Sequence, residues 1–197
     1  MNAQNPEKKE GTILFCDIRN FTSLFDEIDP FEAVEFANTV LAVLGEEVEA
    51  HSGTVDRFTG DGFLAHFGFA REIENHTKMA ANTCVAIREK LNEINANRYF
   101  KVEKMVSAGI GVHTGVAAYC KLETNQLKQT TVLGDTVNIA SRIEEMTKYF
   151  MVDVLFSEES YALIKDDFSF QKMPLKTIRG KKKSVQTHWF LPTNTKS

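Results

Sequence analysis

Cysteine is scarce in this 197-residue chain: Cys16, Cys84 and Cys120 stand far apart and are odd in number. That argues against a disulfide scaffold, shows no metal-ligand spacing, and points to a reduced, intracellular protein. Long apolar runs are missing too. None approaches the roughly 18 residues that a membrane span requires, and no signal peptide is recognisable. Charge of one sign is not in large excess. The net charge of −4 recruits neither nucleic acid nor an anionic membrane. Internal repeats and low-complexity tracts are absent. His51, His66, His76, His113 and His188 are scattered without metal spacing and read as core or surface residues.

What is present is ordinary globular material. Apolar residues make up 43% and charged residues 25%, enough for a folded core and against disorder. The length suits one domain and is short for two. Residues 1–10 are polar and read as a flexible linker, 11–192 as the domain, and 193–197 as a tail. The expectation is a soluble, cytoplasmic domain that can belong to a larger parent carrying a fused or upstream sensor, or a membrane tether.

Along the chain, Thr12–Cys16 reads as a short buried strand ending at Asp17. Asp29-Pro30-Phe31-Glu32 starts a helix with a cap, a proline at the first position and a box partner. Val34, Ala37, Leu41, Leu44 and Val48 make its apolar stripe. Thr54–Phe58 and Phe63–Phe67 form a hairpin over Thr59-Gly60-Asp61-Gly62. A second helix over 72–95 puts Ala80, Cys84, Ile87, Leu91 and Ile94 on one face. Met105–Val112 and Val116–Tyr119 read as strands separated by a turn at His113-Thr114-Gly115, and Thr130–Leu133 as another strand. A third helix from Thr136 to Phe150 turns Ile139, Ile143, Met146 and Phe150 inward. Val152–Phe156 reads as a strand, Ser157–Ile164 as a short helix, and Ser184–Leu191 as closing strands. Strands joined by hairpins and mixed with helices predict an α+β sheet with the helices on one side.

Two carboxylates carry the chemical signal. Asp17 ends a strand and Asp61 tips a hairpin, so neighbouring strands would bring them to one sheet edge. Paired carboxylates without a basic partner repel unless they share a proton or a cation. Magnesium, held by one or two carboxylates plus substrate phosphates, suits such a pair. The backbone of Ile18–Thr22 leaves the strand there with N–H groups free for phosphate oxygens. Asn138 and Arg142, at i and i+4, share one side of the third helix. The arginine offers a fork of donors to phosphate, and the asparagine can orient a ribose oxygen. Taken singly, each of these residues is an ordinary cap, turn or solvated flank.

Together they form a pattern. Phe15-Cys16-Asp17-Ile18-Arg19-Asn20-Phe21-Thr22, Arg57-Phe58-Thr59-Gly60-Asp61-Gly62, and Thr131-Val132-Leu133-Gly134-Asp135-Thr136-Val137-Asn138-Ile139-Ala140-Ser141-Arg142 occur in this order. The set resembles the class III adenylate and guanylate cyclase catalytic domain over roughly residues 11–192. The resemblance implies a mixed, mainly antiparallel sheet with flanking helices around a ferredoxin-like, palm-related core, paired head to tail as a homodimer with sites at the interface. It implies that Asp17 and Asp61, with the Ile18 carbonyl, bind two Mg2+ or Mn2+ ions. Asn138 and Arg142 of the other protomer would hold ribose and the reacting phosphate. Phe21 and Thr22 would lie in the loop around the triphosphate, and Arg57 and Thr131 at the purine. The implied reaction turns ATP into cyclic AMP and pyrophosphate.

Some positions depart from the family pattern. Adenylate cyclases usually carry lysine where this chain has Arg57, and a guanylate cyclase would have glutamate there. The family's phosphate-binding lysine falls near Thr177-Ile178-Arg179-Gly180-Lys181, where Arg179 takes the aligned place and Lys181 competes for the role. Tyr119-Cys120-Lys121-Leu122-Glu123 lacks the glycine-rich turn common after this strand. Guanylate or mixed-purine cyclase activity, and a non-catalytic nucleotide-sensing dimer module, are the alternatives these departures keep open.

Overall fold

The computed structural model describes residues 4–21, 29–97, 105–123, 128–177 and 184–192. In chain order these form β1 (Gln4–Ile18), α1 (Pro30–Ala50), β2 (Thr54–Phe58), β3 (Gly62–Phe67), α2 (His76–Asn97), β4 (Ala108–Glu123), β5 (Lys128–Leu133), α3 (Asp135–Phe150), β6 (Val154–Ser157), α4 (Glu158–Ile164), β7 (Phe170–Lys172), β8 (Lys176–Thr177), β9 (Ser184–Val185) and β10 (Thr187–Phe190). The main sheet runs β2-β3-β1-β4-β6-β10-β7, with β5 paired to β4 and β8–β9 set apart. Among the described residues all pairings are antiparallel except β4 with β6, which β5 and α3 connect. The expected α+β class with a mixed, mainly antiparallel sheet is what forms.

Strand alternation sends apolar residues to both faces of the sheet, and among the described residues they gather in three clusters, the third joining Ile143 and Met146 of α3 to Leu155 of β6. Leu14, Cys16 and Ile18 join Phe63, Ala65 and Phe67 on one face, covered by Val40, Leu44 and Val48 of α1 and Ala80, Cys84 and Ile87 of α2. Ile13 and Leu64 point the other way, beneath Val137 and Ala140 of α3. The helices therefore flank both faces, which corrects the expected one-sided arrangement. Helical periodicity shows that a helix has a buried stripe but not which face of the sheet receives it.

Three further expectations change. Residues 4–10, read as linker, belong to β1: Glu7, Lys8, Lys9 and Glu10 pair with Tyr119, Ala118, Ala117 and Val116. Their polar side chains hide the strand signal, while the long β4 supplies backbone partners. His113-Thr114-Gly115 is not a turn but the middle of β4, paired with Ile13, Thr12 and Gly11. The buried Thr114 hydroxyl lies 2.8 Å from that of Thr12 and 3.0 Å from that of Thr77, which anchors the segment as strand. Val34, placed in the α1 stripe, is 58% exposed, whereas Ala37, Leu41, Leu44 and Val48 are buried. The α1 cap forms as expected: Pro30 occupies the first turn and the Phe31 N–H donates to Asp29 Oδ1 at 2.8 Å.

Candidate active site

Antiparallel pairing of β1 and β3 sets Asp17 opposite Gly62, next in sequence to Asp61. The Ile18 N–H donates to the Asp61 carbonyl at 2.8 Å, locking the strand end to the hairpin tip. Gly60 takes φ +93° in that tip, a left-handed conformation that favours glycine. Burial first, and then the charge of Asp17, push the Asp61 carboxyl above its ordinary range. The two aspartates meet at one sheet edge, as their positions predict.

A cation of the chain itself already faces them. Lys148, on α3, donates from Nζ to Asp17 Oδ2 at 2.7 Å. That hydrogen bond holds the ammonium above its usual range. Beside it, Arg19 reaches Glu144 at 3.3 Å and hydrogen-bonds the Thr147 hydroxyl. Glu144 is 7% exposed. Burial, then the Asp17 charge, raise its carboxyl to about 7. Sequence inspection missed Lys148, Glu144 and Arg19. The available signals were the i, i+4 spacing of Glu144 and Lys148 and the closeness of Arg19 to Asp17, both too common to single out.

The donor chemistry fits the expected ions. Among the described residues no group of three or more His, Cys, Asp or Glu side chains is assembled for a metal. Two carboxylates and a strand-end carbonyl are hard oxygen donors that leave coordination positions for water or phosphate, the regime of Mg2+ and Mn2+ rather than Zn2+. Asp17, Asp61 and Ile18 are the residues that would hold such ions.

Asn138 and Arg142 lie elsewhere on α3. Thr136, Val137, Ala140, Ile143, Glu144, Met146 and Thr147 are its buried residues, while Asn138 is exposed and Arg142 half-buried. Arg142 Nη1 donates to Glu145 Oε1 at 2.6 Å. At about 100° per residue, Arg142 and Asn138 project roughly 120° and 80° around the helix from Lys148, which meets Asp17. The face that meets Asp17 is therefore not the face that carries the Asn–Arg pair.

Arg57 and Thr131, distant in sequence, are brought together. Arg57 Nη1 donates to the Thr131 hydroxyl at 3.1 Å and to Asp56 Oδ2 at 2.8 Å. Thr131 in turn donates to Asp56 Oδ2 at 2.8 Å, and the Val132 N–H to Asp56 Oδ1 at 3.2 Å. Thr131 is only 1% exposed. Phe21 packs its half-buried ring against the main core. Thr22, Arg179 and Lys181 lie outside the described residues.

Comparison with known proteins gives a consistent family. The model of the adenylate and guanylate cyclase catalytic domain matches residues 3–192. An adenylate cyclase of Anabaena cylindrica is 33% identical over 151 residues, covering 75% of this chain and 29% of that protein. Adenylate cyclase 1 of Rhizobium meliloti is 32% identical over 178 residues, 90% of this chain and 26% of that protein. The chain thus spans little more than a quarter of the length of these relatives. In fold it matches the crystal structure of an adenylyl cyclase from P. aeruginosa, with TM-score 0.86 and 24% identity over 95% of this chain and 96% of that one. A guanylyl cyclase structure matches as well, with TM-score 0.87 and 24% identity over 95% and 94% of the two chains.

Proposed function

The chain belongs to the adenylate and guanylate cyclase catalytic domain family, and from that premise we propose that it is an adenylate cyclase, forming 3′,5′-cyclic AMP and pyrophosphate from ATP at a homodimer interface. One observation carries this reading. Asp17 and Asp61 sit together at the strand end, while Asn138 and Arg142 project about 80° and 120° around α3 from Lys148, the residue that meets Asp17. A single protomer holds both halves of a site and joins them only by lending one half to a twin.

In the reaction the ribose 3′ oxygen bonds to the α-phosphorus as the bond to the bridging oxygen of the departing pyrophosphate breaks. The hydroxyl proton leaves to water or to the substrate. Asn138 orients the ribose, and Arg142 places a donor fork on the α-phosphoryl oxygens where charge grows. Asp17 and Asp61 position divalent ions, which when bound supply charge neutralisation and a more acidic 3′ hydroxyl. Phe21 and Thr22 close around the triphosphate, with Arg179 or Lys181 as its further cation. Arg57 and Thr131 meet the purine.

The test is direct. Purified chain is incubated with ATP or GTP and Mn2+, and cyclic product and pyrophosphate are measured. Mixing an Asp17→Ala chain with an Arg142→Ala chain, each inactive alone, restores part of the activity through one intact hybrid site. Absence of product from the wild-type chain refutes the enzyme reading, and absence of recovery refutes the shared site. Mixed-purine activity is the second reading, favoured by the guanidinium of Arg57 where family adenylate cyclases place an ammonium.

A further inference from the structure

We propose that Asp56 is the positioning residue for purine selection, fixing Arg57 and Thr131 so that the base meets hydrogen-bond donors only. The inference rests on the cyclase reading above and deepens it.

Asp56 has an unusual place in the fold. Neighbours on a strand normally point to opposite faces, so Asp56 and Arg57 should not meet. Between Val55 and Arg57, however, the β2–β3 register slips: Val55 pairs with Ala65 and Arg57 with Leu64, leaving Asp56 as an extra residue. Such a bulge re-aims a side chain. Here it buries the Asp56 side chain completely and lets it bond its own neighbour, whose side chain stays 38% exposed.

The contacts then fix what the pair can offer. Thr131 has one proton to donate, and it goes to Asp56. Arg57 spends Nη1 on Asp56 and Thr131. What remains outward is the rest of the guanidinium, a donor-only surface. Adenine presents an acceptor and one amino group on its pairing edge. Guanine presents an acceptor, a ring N–H and an amino group. Against donors alone guanine leaves one more donor group unpaired, which favours adenine.

The experiment uses Asp56→Asn in the full chain. Val132 keeps its acceptor, so the new amide faces Thr131 and Arg57 with hydrogens, releasing both. The ratio of kcat/KM for ATP over GTP is expected to fall about tenfold or more, the loss of one charge-assisted bond, and to fall through KM for ATP. In an Arg57→Met background the same change leaves the ratio where it stands. Thermal midpoints of all four chains separate misfolding from this effect, since loss of folded protein lowers both purines alike. An unmoved ratio in Asp56→Asn, or an equal drop without Arg57, overturns the inference while the cyclase reading survives. A wild-type chain that forms no cyclic product from either nucleotide overturns both.

Discussion

Substituting Glu144→Gln isolates one buried charge beside the candidate metal site. Glu144 is 7% exposed, and its carboxyl is held at about 7 against an ordinary 4.5, by burial first and the Asp17 charge second. Between those values the folded chain keeps a proton that the unfolded chain has released, so stability falls as pH rises through this window and levels off above about 7. At about 1.4 kcal/mol per tenfold, the cost of ionising Glu144 in place is about 3.5 kcal/mol. Glutamine is nearly isosteric, still accepts from Arg19, and does not titrate. The variant should match the wild type near pH 4 and exceed it by about 3.5 kcal/mol near pH 8. Urea denaturation in EDTA across this range measures the gap, with equal m-values as the check on two-state behaviour. A gap that does not change with pH refutes the reasoning. So does a variant less stable than wild type at pH 8, because the Arg19 pairing would then outweigh the desolvation of the carboxylate.

Two other perturbations test the placement of α3. A methyl group at Gly111 would put its Cβ 2.2 Å from the Glu144 nitrogen and 2.5 Å from the Ala140 oxygen, both helix backbone. Gly111→Ala should therefore cost about 3 kcal/mol, the upper range for overpacking, and suppress turnover by shifting Asn138 and Arg142; a loss under about 0.5 kcal/mol in chemical denaturation sinks this packing argument. Lys148→Met removes the ammonium 2.7 Å from Asp17. Mn2+ binding without nucleotide, followed by the electron paramagnetic resonance of free Mn2+, should tighten about fivefold, the equivalent of the roughly 1 kcal/mol of a part-exposed pair. Unchanged or weaker binding shows that Lys148 does not compete for the carboxylates.

Much of this was written locally. The strand before Asp17, the glycine-rich hairpin tip at Asp61, the capped start at Asp29 and the Asn138–Arg142 spacing depend on periodicity and turn chemistry within a few residues, so each is legible without the fold. The stripe expected on α2 holds, since Ala80, Cys84, Ile87, Leu91 and Ile94 are all buried, and Thr77, Ala81 and Thr83 widen it.

Tertiary structure decided what depends on a partner far along the chain. Polar residues 4–10 became strand because β4 offered them a backbone to pair with, and His113-Thr114-Gly115 stayed extended because β1 lies beside it. Lys148 reaches Asp17, and Glu144 reaches Arg19, only because Gly111 lets the α3 backbone lie on the sheet. Asp56 meets Arg57 only through a register slip that the residues of β2 do not announce. Local sequence sets what each segment prefers to be, and long-range contact sets which side chains then share a charge, a proton or a face.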